Sequence, residues 1–456
     1  MRTTVADSLA PLIEQLLGVE LPFRLRGWDG SEQGPARAGA TMVIRSRRAL
    51  RTLLWQPDEL GLARAYVAGD IDVEGDLYSV LGSAELVARL SSNEGLSMTA
   101  AQKWAALRTL VRLGAVGPRP PLPPEEVVRP HGRMRHSVAS DAAAISHHYD
   151  VGNDFYALVL GPSMVYSCAF WEQPPSAGYG LDDAQRAKLD LVCRKLDLQP
   201  RQRLLDVGCG WGSLVLHAAR EYGVRAVGVT LSREQADRAR ARIAEAGLSD
   251  RVEIRIQDYR DIHDGPFDAI ASVGMAEHVG ARQLDVYARA LRTLLAPGGR
   301  LLHHAIASRA ETSEHPTPPR SSFIDRYVFP DGELEPIGTT VTALDRAGLE
   351  VRDVENLREH YALTLRAWVD NLEAGWDAAV RLTSPGRARV WRLYMVASAL
   401  GFQFGEITVN QTLAVAPAPE GRSGMPLTRR ALILPAAGEP GSAVATPGPA
   451  AAPVDA

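Results

Sequence analysis

Arg203-Leu-Leu-Asp-Val-Gly-Cys-Gly-Trp-Gly212 is the stretch on which the reading of this chain turns. Its apolar run (Leu204, Leu205, Val207) ends abruptly in Gly208, Gly210 and Gly212, and an amphipathic stretch with Leu214, Leu216, Ala218 and Ala219 follows. That order predicts a strand, a tight turn and a helix, the first half of a βαβ unit. Glycines in such a turn reach positive φ and let a ligand approach main-chain atoms with no Cβ in the way. Gly212 follows Gly210 by two residues rather than three, so the Gly-x-Gly-x-x-Gly spacing of dinucleotide folds is not met.

The alternation repeats downstream. A strand is expected at residues 225–229, and Thr230-Leu-Ser-Arg-Glu-Gln opens the next helix, with Ser232 and Gln235 spaced as a capping box. That helix stops at Gly247. Residues 252–256 form a third strand followed by Gln257-Asp-Tyr, and residues 267–273 a fourth followed by Gly274-Met-Ala-Glu-His-Val-Gly. A helix over 283–295 ends at Pro297-Gly298-Gly299, before a fifth strand at 300–305. The pattern predicts an α/β domain with a mostly parallel sheet and helices on both faces. Ligands of such sheets sit beyond the carboxyl ends of the strands, where each of these polar clusters falls. Residues 306–415 read as helical patterns rich in aromatics (Tyr361, Trp368, Trp376, Trp391, Tyr394, Phe402, Phe404). From Ala416 the chain is rich in Pro, Ala and Gly and reads as disordered, with one apolar island at 431–434.

The 456 residues suffice for two or three domains, and 46% apolar with 23% charged residues fits a globular protein. A net charge of −4 gives no support to a nucleic-acid binder. Cys168, Cys193 and Cys209 form no Cys-x-x-Cys pair, which points away from a zinc ribbon or disulfide framework and toward a reducing cytosol. With no signal-peptide pattern and no run of about 18 apolar residues, the chain is expected to touch a membrane at most, not to span one. Residues 1–90 mix an amphipathic helix (5–17), a strand-like stretch (41–45) and Gly61-Leu-Ala-Arg-Ala-Tyr-Val-Ala-Gly-Asp, and read as a small helper domain. Between 103 and 135 the charge changes sign: Lys103, Arg108, Arg112, Arg119, Arg129, Arg133 and Arg135 are offset only by Glu125 and Glu126. Pro118, Pro120, Pro121, Pro123 and Pro124 make part of this an extended linker. Arg45, Arg47, Arg48 and Arg51 form a second basic cluster. Such clusters are either solvated faces or contacts for anionic lipid head groups.

Two stretches before the core, His147-His-Tyr-Asp-Val-Gly-Asn-Asp-Phe-Tyr and Met164-Val-Tyr-Ser-Cys-Ala-Phe-Trp, fit neither a helix nor a strand period and read as pocket lining or an irregular cap. Asp206-x-Gly-x-Gly is the usual first loop of S-adenosylmethionine-dependent methyltransferases. It occurs here in order with His148-Tyr-Asp-x-Gly-Asn-Asp, Tyr166-Ser-Cys-Ala, Gly228-Val-Thr-Leu-Ser, Gln257-Asp-Tyr-Arg-Asp, Gly274-Met-x-Glu-His-Val-Gly and Tyr327-x-Phe-Pro-Asp-Gly. Over roughly residues 136–413 the chain resembles the cyclopropane fatty acid synthase family, which includes the mycolic acid methyltransferases. Residues 61–72 are similar to the extra domain of its phospholipid-acting members. The likeness leans toward the actinobacterial branch that methylates oleoyl chains on the way to tuberculostearic acid.

The resemblance implies a Rossmann-like methyltransferase with a small α+β N-terminal domain. It divides the chain into a lipid- or membrane-associated helper domain (1–115), a Pro/Arg-rich linker (116–135), a catalytic domain with helical lid insertions (136–415) and a disordered tail (416–456). It implies S-adenosylmethionine as donor, with Gly208 and Gly210 at its amino-acid and ribose parts, Tyr166 and Ser167 at the methionine end, and Thr230, Leu231 and Gln235 at the ribose. Gln257, Asp258 and Tyr259 would surround the adenine, with Val273 opposite. It implies a bicarbonate ion at Cys168, Glu277, His304, Ile306 and Tyr361, held by His304, Tyr361 and the main chains of Cys168 and Ile306, with Glu277 accepting its hydroxyl. The implied substrate is an unsaturated acyl chain of a membrane phospholipid, met from the cytoplasmic side by peripheral contact. A homo-oligomer is left open. The product is a cyclopropane, or alternatively a 10-methylene chain that a partner reductase saturates. A lipid- or cofactor-binding protein that kept the fold is the non-enzymatic alternative. Thr230 stands where many methyltransferases carry a ribose-binding acid, a feature the family shares, and Ala276 stands where many members carry a larger side chain. The tandem His303-His304 leaves the ligand open by one position, and strand alternation favours His304 with Ile306. Cys168 also suits a small buried apolar residue, and Glu277-His278 also suits a helix start.

Overall fold

A computed structural model describes residues 3–82, 99–127, 151–309, 323–330, 332–429 and 432. His148, Tyr149 and Asp150 of the first motif, the arginines at 129, 133 and 135, and Asp331 lie outside the described residues. The N-terminal part begins with α1 (Val5–Leu17), whose first turn is closed by a reciprocal Thr4–Asp7 capping box. Strands β1 (Arg24–Arg26), β2 (Glu32–Gln33) and β3 (Ala40–Ile44) follow, then α2 (Arg47–Trp55) and α3 (Glu59–Val67), capped by Ser46 and Asp58. Strand β4 (Ile71–Gly75) completes a sheet of order β2-β1-β3-β4, and α4 (Leu77–Leu81) and α5 (Ala100–Arg112) come next.

The larger part runs α6 (Asn153–Leu160), α7 (Leu181–Leu196), β5 (Arg203–Val207), α8 (Ser213–Glu221), β6 (Arg225–Thr230), α9 (Arg233–Glu245), β7 (Val252–Ile256), β8 (Phe267–Val273), α10 (Leu284–Leu294) and β9 (Leu295–Ser308). It continues through α11 (Phe323–Tyr327), α12 (Ile337–Arg346), β10 (Glu350–Asn356), α13 (Arg358–Ala374), α14 (Trp376–Leu382), α15 (Pro385–Phe404) and β11 (Ile407–Val415). Among the described residues seven strands form one sheet in the order β10-β11-β9-β8-β5-β6-β7. The pairs from β9 to β7 are parallel, and β11 runs antiparallel to both its neighbours.

Side chains alternate across this sheet with period two. Leu204, Ala271, Leu302 and Leu413 pack with Val192, Val215 and Ala239 on one face. Leu205, Ile270, Leu301 and Ala414 pack with Tyr287, Leu291 and Leu344 on the other. The α/β class with a mostly parallel sheet and helices on both faces is therefore the observed one.

Three expectations change. Residues 306–415 are not helical throughout, because they contain β10 and β11. Strand β11 (Ile-Thr-Val-Asn-Gln-Thr-Leu-Ala-Val) is buried on both faces from Val409 onward, Asn410, Gln411 and Thr412 included, so it shows no polar alternation. The Asn153-Asp-Phe-Tyr end of the first aromatic stretch is helical and buries Phe155 and Tyr156. Residues 416–429, read as the start of a disordered tail, lie on the sheet instead: Ala416 N donates to Gly299 O (2.9 Å), Arg300 reaches Gly424 O (3.2 Å), and Arg429 pairs with Asp353 (2.7 Å).

The N-terminal sheet is joined to the larger part through shared apolar packing that includes Leu25 and Tyr66 from one side and Phe155 and Trp391 from the other. Polar ties run alongside. Arg392 on α15 reaches Tyr66 Oη (3.4 Å) and the Val73 and Gly75 carbonyls (3.3 and 3.1 Å), and Arg389 reaches Asp72 (3.2 Å). Buried Arg64 pairs with Glu126 (2.6 Å), which also accepts from Tyr327 Oη (3.0 Å). Among the described residues no helix is long and apolar enough to cross a membrane.

Candidate active site

A cleft opens past the carboxyl ends of β5, β6, β7 and β8, where β5 lies between β6 and β8 and the direction of strand addition reverses. It is lined by Tyr166, Ser167, Gly208, Gly210, Thr230, Leu231, Gln235, Gln257, Asp258, Tyr259 and Val273, so all the residues named for the donor come together. Gly208 and Gly210 have φ of 83° and 53°, and a Cβ at Gly210 would meet nothing within 4 Å. The loop thus offers main chain to open space. The Ser232 hydroxyl caps α9 by accepting from Gln235 N (3.3 Å), but the other arm of the capping box is not made. Gln235 Oε1 accepts from the Thr230 hydroxyl (2.9 Å), and Thr230 Oγ1 accepts from Ser232 N (3.2 Å). Both residues line the cleft as one bonded unit. Asp258 holds Arg260 with two bonds of 2.7 Å; burial raises its carboxyl, but the arginine bonds prevail and hold it below the ordinary range. Gln257 Nε2 donates to Asp261 O (2.7 Å), and Tyr259 stands edge-on to Tyr287.

Lys188, Asp206, Trp211, Met275 and His278 also line the cleft and were not named as site residues. Lys188 lies on the buried face of α7 among Ala184, Leu191 and Val192, and its Nζ donates to Ser167 Oγ (3.0 Å). A lysine in phase with an apolar helix face was the available signal. Asp206 is buried and its Oδ1 has no partner. Burial raises the Asp206 carboxyl and lowers the Lys188 ammonium, while each partly counters the other. A ligand that is cationic at its reacting end suits this lining, because Asp206 supplies an unpaired acceptor and Tyr166 and Trp211 supply ring faces. Asp206 titrates higher folded than unfolded, up to about 7, so its contribution to stability is intact below the ordinary carboxylate range and lost as pH rises through about 7. Ligand-free Asp206→Asn is therefore expected to gain more in melting temperature over wild type at pH 8 than at pH 5. Scanning calorimetry checks this, and identical shifts at both pH values would count against a buried ionised Asp206.

The five residues implied for bicarbonate do not line that cleft: Cys168 and Glu277 are next in sequence to its lining residues Ser167 and His278, whereas His304 and Ile306 on β9 and Tyr361 on α13 come from elements that contribute none of its lining. Glu277 follows β8, and its Oε1 accepts from Ile306 N (2.8 Å). The Ile306 amide, expected to face the anion, is thus engaged by Glu277. Leu302, His304 and Ile306 share one side of β9, and residues two apart on a strand are about 7 Å apart. His303 points the other way, edge-on to Tyr287. Cys168 Sγ lies 3.7 Å from Leu357 O, the carbonyl that accepts from Tyr361 N (3.1 Å). Glu277 is partly exposed as a residue, but its Oε2 is out of solvent with no partner, and both ring nitrogens of buried His304 lack partners. Such atoms take ordered water or a small polar ligand as partner. A small guest with both a donor and acceptors, as bicarbonate is, fits them. Burial raises Glu277 to about 7 against the pull of the Ile306 bond. Burial, with Lys188 and Lys195 nearby, holds the His304 imidazole neutral, and burial keeps Cys168 a thiol.

Aromatic rings continue inward from the cleft. Tyr166 Oη lies 3.3 Å from Tyr394 Oη, and its ring centroid is 5.3 Å from Trp368 and 5.9 Å from Trp391. Trp368 meets Tyr361 edge-on, and Trp211 packs 4.8 Å from Tyr156. This wall belongs to the same apolar cluster that contains Cys168 and Tyr361.

The family described as mycolic acid cyclopropane synthetase matches residues 136–412. The chain is 41% identical to a probable fatty acid methyltransferase of Mycobacterium tuberculosis over 93% of its own length and 98% of the relative's. It is 38% identical to the cyclopropane-fatty-acyl-phospholipid synthase of Escherichia coli over 58% of its own length and 66% of the relative's. The solved mycolic acid cyclopropane synthase CmaA1, complexed with SAH and CTAB, superposes with a TM-score of 0.56 at 32% identity, covering 63% of this chain and 99% of that one. A cleft at the reversal point of the sheet and a family match over most of the chain lead to one conclusion: the protein belongs to the mycolic acid cyclopropane synthetase family and is an S-adenosylmethionine-dependent methyltransferase.

Proposed function

We propose that the protein methylates the double bond of an unsaturated fatty acyl chain of a membrane phospholipid, giving a cyclopropane, with bicarbonate bound at Glu277, His304 and Tyr361 as the base. The observation that carries this reading is the set of partnerless buried atoms, Glu277 Oε2 and both His304 nitrogens, beside an aromatic-walled apolar region that continues from the donor cleft. Relatives named as fatty acid methyltransferase and cyclopropane-fatty-acyl-phospholipid synthase support a lipid acyl substrate.

When bound, S-adenosylmethionine supplies an electrophilic methyl group and bicarbonate a small base. An alkene is a weak nucleophile, so the protein's task is to align it and keep water out. Tyr166, Trp368, Trp391 and Tyr361 offer ring faces to the cation that methylation leaves on the acyl chain. Cys168, kept as a thiol, does not compete for the methyl group. Neutral His304 donates through one nitrogen and accepts through the other, adding no positive charge beside the cation. Glu277, pinned through Oε1, turns Oε2 to the base. Proton loss from the added carbon, with bonding of that carbon to the neighbouring cation, closes the ring; if a hydride shift first moves the cation onto the methyl-bearing carbon, the same proton loss leaves a 10-methylene branch for a reductase.

The test is methyl transfer from labelled donor to oleoyl phospholipid vesicles, with mass spectrometry of the released chains before and after ozonolysis. A labelled chain that resists ozonolysis is expected. A labelled chain that ozone cleaves shifts the product to the methylene branch, and no label in the acyl chains overturns the reading.

A further inference from the structure

Eleven large apolar side chains are well exposed among the described residues, and five of them (Trp55, Trp104, Val111, Val116, Leu122) fall between residues 55 and 122. Both exposed tryptophans are among them, at 53% and 63%. Trp104, Arg108 and Val111 are spaced i, i+4, i+7 and share one face of α5. Leu110 and Leu113 pack against the core instead, which leaves the first face outward. The chain then turns at Gly114 to Val116, and Trp55 Nε1 donates to Gly117 O (3.0 Å), tying the end of α2 to the end of α5. Beside Trp55 a cavity of about 200 Å3 is lined by Arg48, Arg64, Asp70, Arg119, Leu122 and four prolines between residues 120 and 124.

The charge on this surface is one-sided. Arg45, Arg48 and Arg64 are neutralised by Asp72, Asp70 and Glu126. Arg47, Arg51, Arg108, Arg112 and Arg119 have no carboxylate partner among the described residues; Arg47 stacks over Trp28 and Arg51 leans on Ala115 O. Tryptophan and aliphatic groups set among unpaired guanidinium groups match a bilayer interface, where rings sit at the head-group level and cations meet lipid phosphates. A second copy of the chain does not match, because a two-fold contact would bring the same cations face to face.

We infer that the outer face of α5, with Trp55, Val116 and Leu122, seats the protein on an anionic phospholipid bilayer. The inference rests on the reading that the acyl substrate belongs to a membrane phospholipid. It places the dock on the N-terminal part, away from the donor cleft.

The test uses the full chain and vesicles of dioleoylphosphatidylglycerol or dioleoylphosphatidylcholine. Each basic residue near an anionic surface contributes about a fivefold gain in binding, so the triple variant R108Q/R112Q/R119Q should lose about a hundredfold in partition to the anionic vesicles. Trp104→Ala should weaken binding to both vesicle types. Methyl transfer to vesicle lipid should fall in parallel, while transfer to the same lipid in neutral detergent micelles and donor binding stay unchanged. All four altered residues are exposed, and unchanged melting confirms that each variant is folded. Unchanged partition in both variants, or salt-independent and equal binding to the two vesicle types, overturns the inference. Self-association that the same substitutions abolish also overturns it, in favour of a protein contact. Wild-type protein that binds vesicles through this surface yet labels no acyl chain leaves the dock standing and removes the proposed substrate.

Discussion

Glu277→Gln is expected to bind S-adenosylmethionine as wild type does and to lose about a hundredfold or more in turnover, the scale of a lost acid–base contribution. The substitution keeps the shape. The amide oxygen can still accept from Ile306 N, as Glu277 Oε1 does at 2.8 Å. What changes is the other atom, since an NH2 replaces Oε2, which has no partner in the protein. A donor then stands where an acceptor for the hydroxyl of the base is needed. The carboxyl, raised by burial to about 7, must be ionised to accept, so wild-type turnover should rise with pH through about 7 and that limb should vanish in the variant. Removing dissolved carbon dioxide should slow the wild type and affect the variant less. Single-turnover rates across pH, with calorimetry for the donor, check all of this. Near-normal turnover in the variant would send the proton by another route and make His304 the leading candidate base.

Gly210→Val is expected to abolish donor binding while the protein still folds. A Cβ at this position meets no protein atom within 4 Å, so the branched side chain intrudes on the ligand's space rather than on the core. The fold still pays something, because φ is 53° and a β-branched residue there carries strain of about 1–3 kcal/mol. A modest loss of melting temperature together with a complete loss of the calorimetric binding signal is the expected pair of results. Wild-type affinity in the folded variant would take this loop out of the site.

That the residues named for the donor share one cleft was legible because they sit at strand ends whose order the sequence announces. Gly208, Thr230, Asp258 and Val273 each follow an apolar run bounded by turn chemistry. Lys188 was not, because a helix phase marks a buried position without saying what a buried lysine meets there; its partner Ser167 comes from a loop twenty-one residues earlier. Strand β11 was hidden for the opposite reason. Its polar Asn410, Gln411 and Thr412 are buried by pairing with β9 and β10, a non-local arrangement that local alternation does not encode. The basic cluster at 45–51 looked uniform in sequence, yet Asp70 and Asp72 neutralise Arg48 and Arg45 and leave Arg47 and Arg51 without a carboxylate among the described residues.

Helix α15 has two audiences. Trp391 and Tyr394 belong to the aromatic wall beside Tyr166, while Arg389 and Arg392, one turn away or less, grip Asp72, Tyr66 and the carbonyls of β4. A chain shortened to the family-matched residues 136–412 would leave those guanidinium groups without these partners and bare the apolar side that Leu25 and Tyr66 cover. This chain overlaps the solved mycolic acid cyclopropane synthase over 99% of the synthase's length but only 63% of its own. Here the first eighty residues act as a splint for the aromatic wall. Amputation should therefore blunt substrate turnover even in detergent, where no bilayer has to be found.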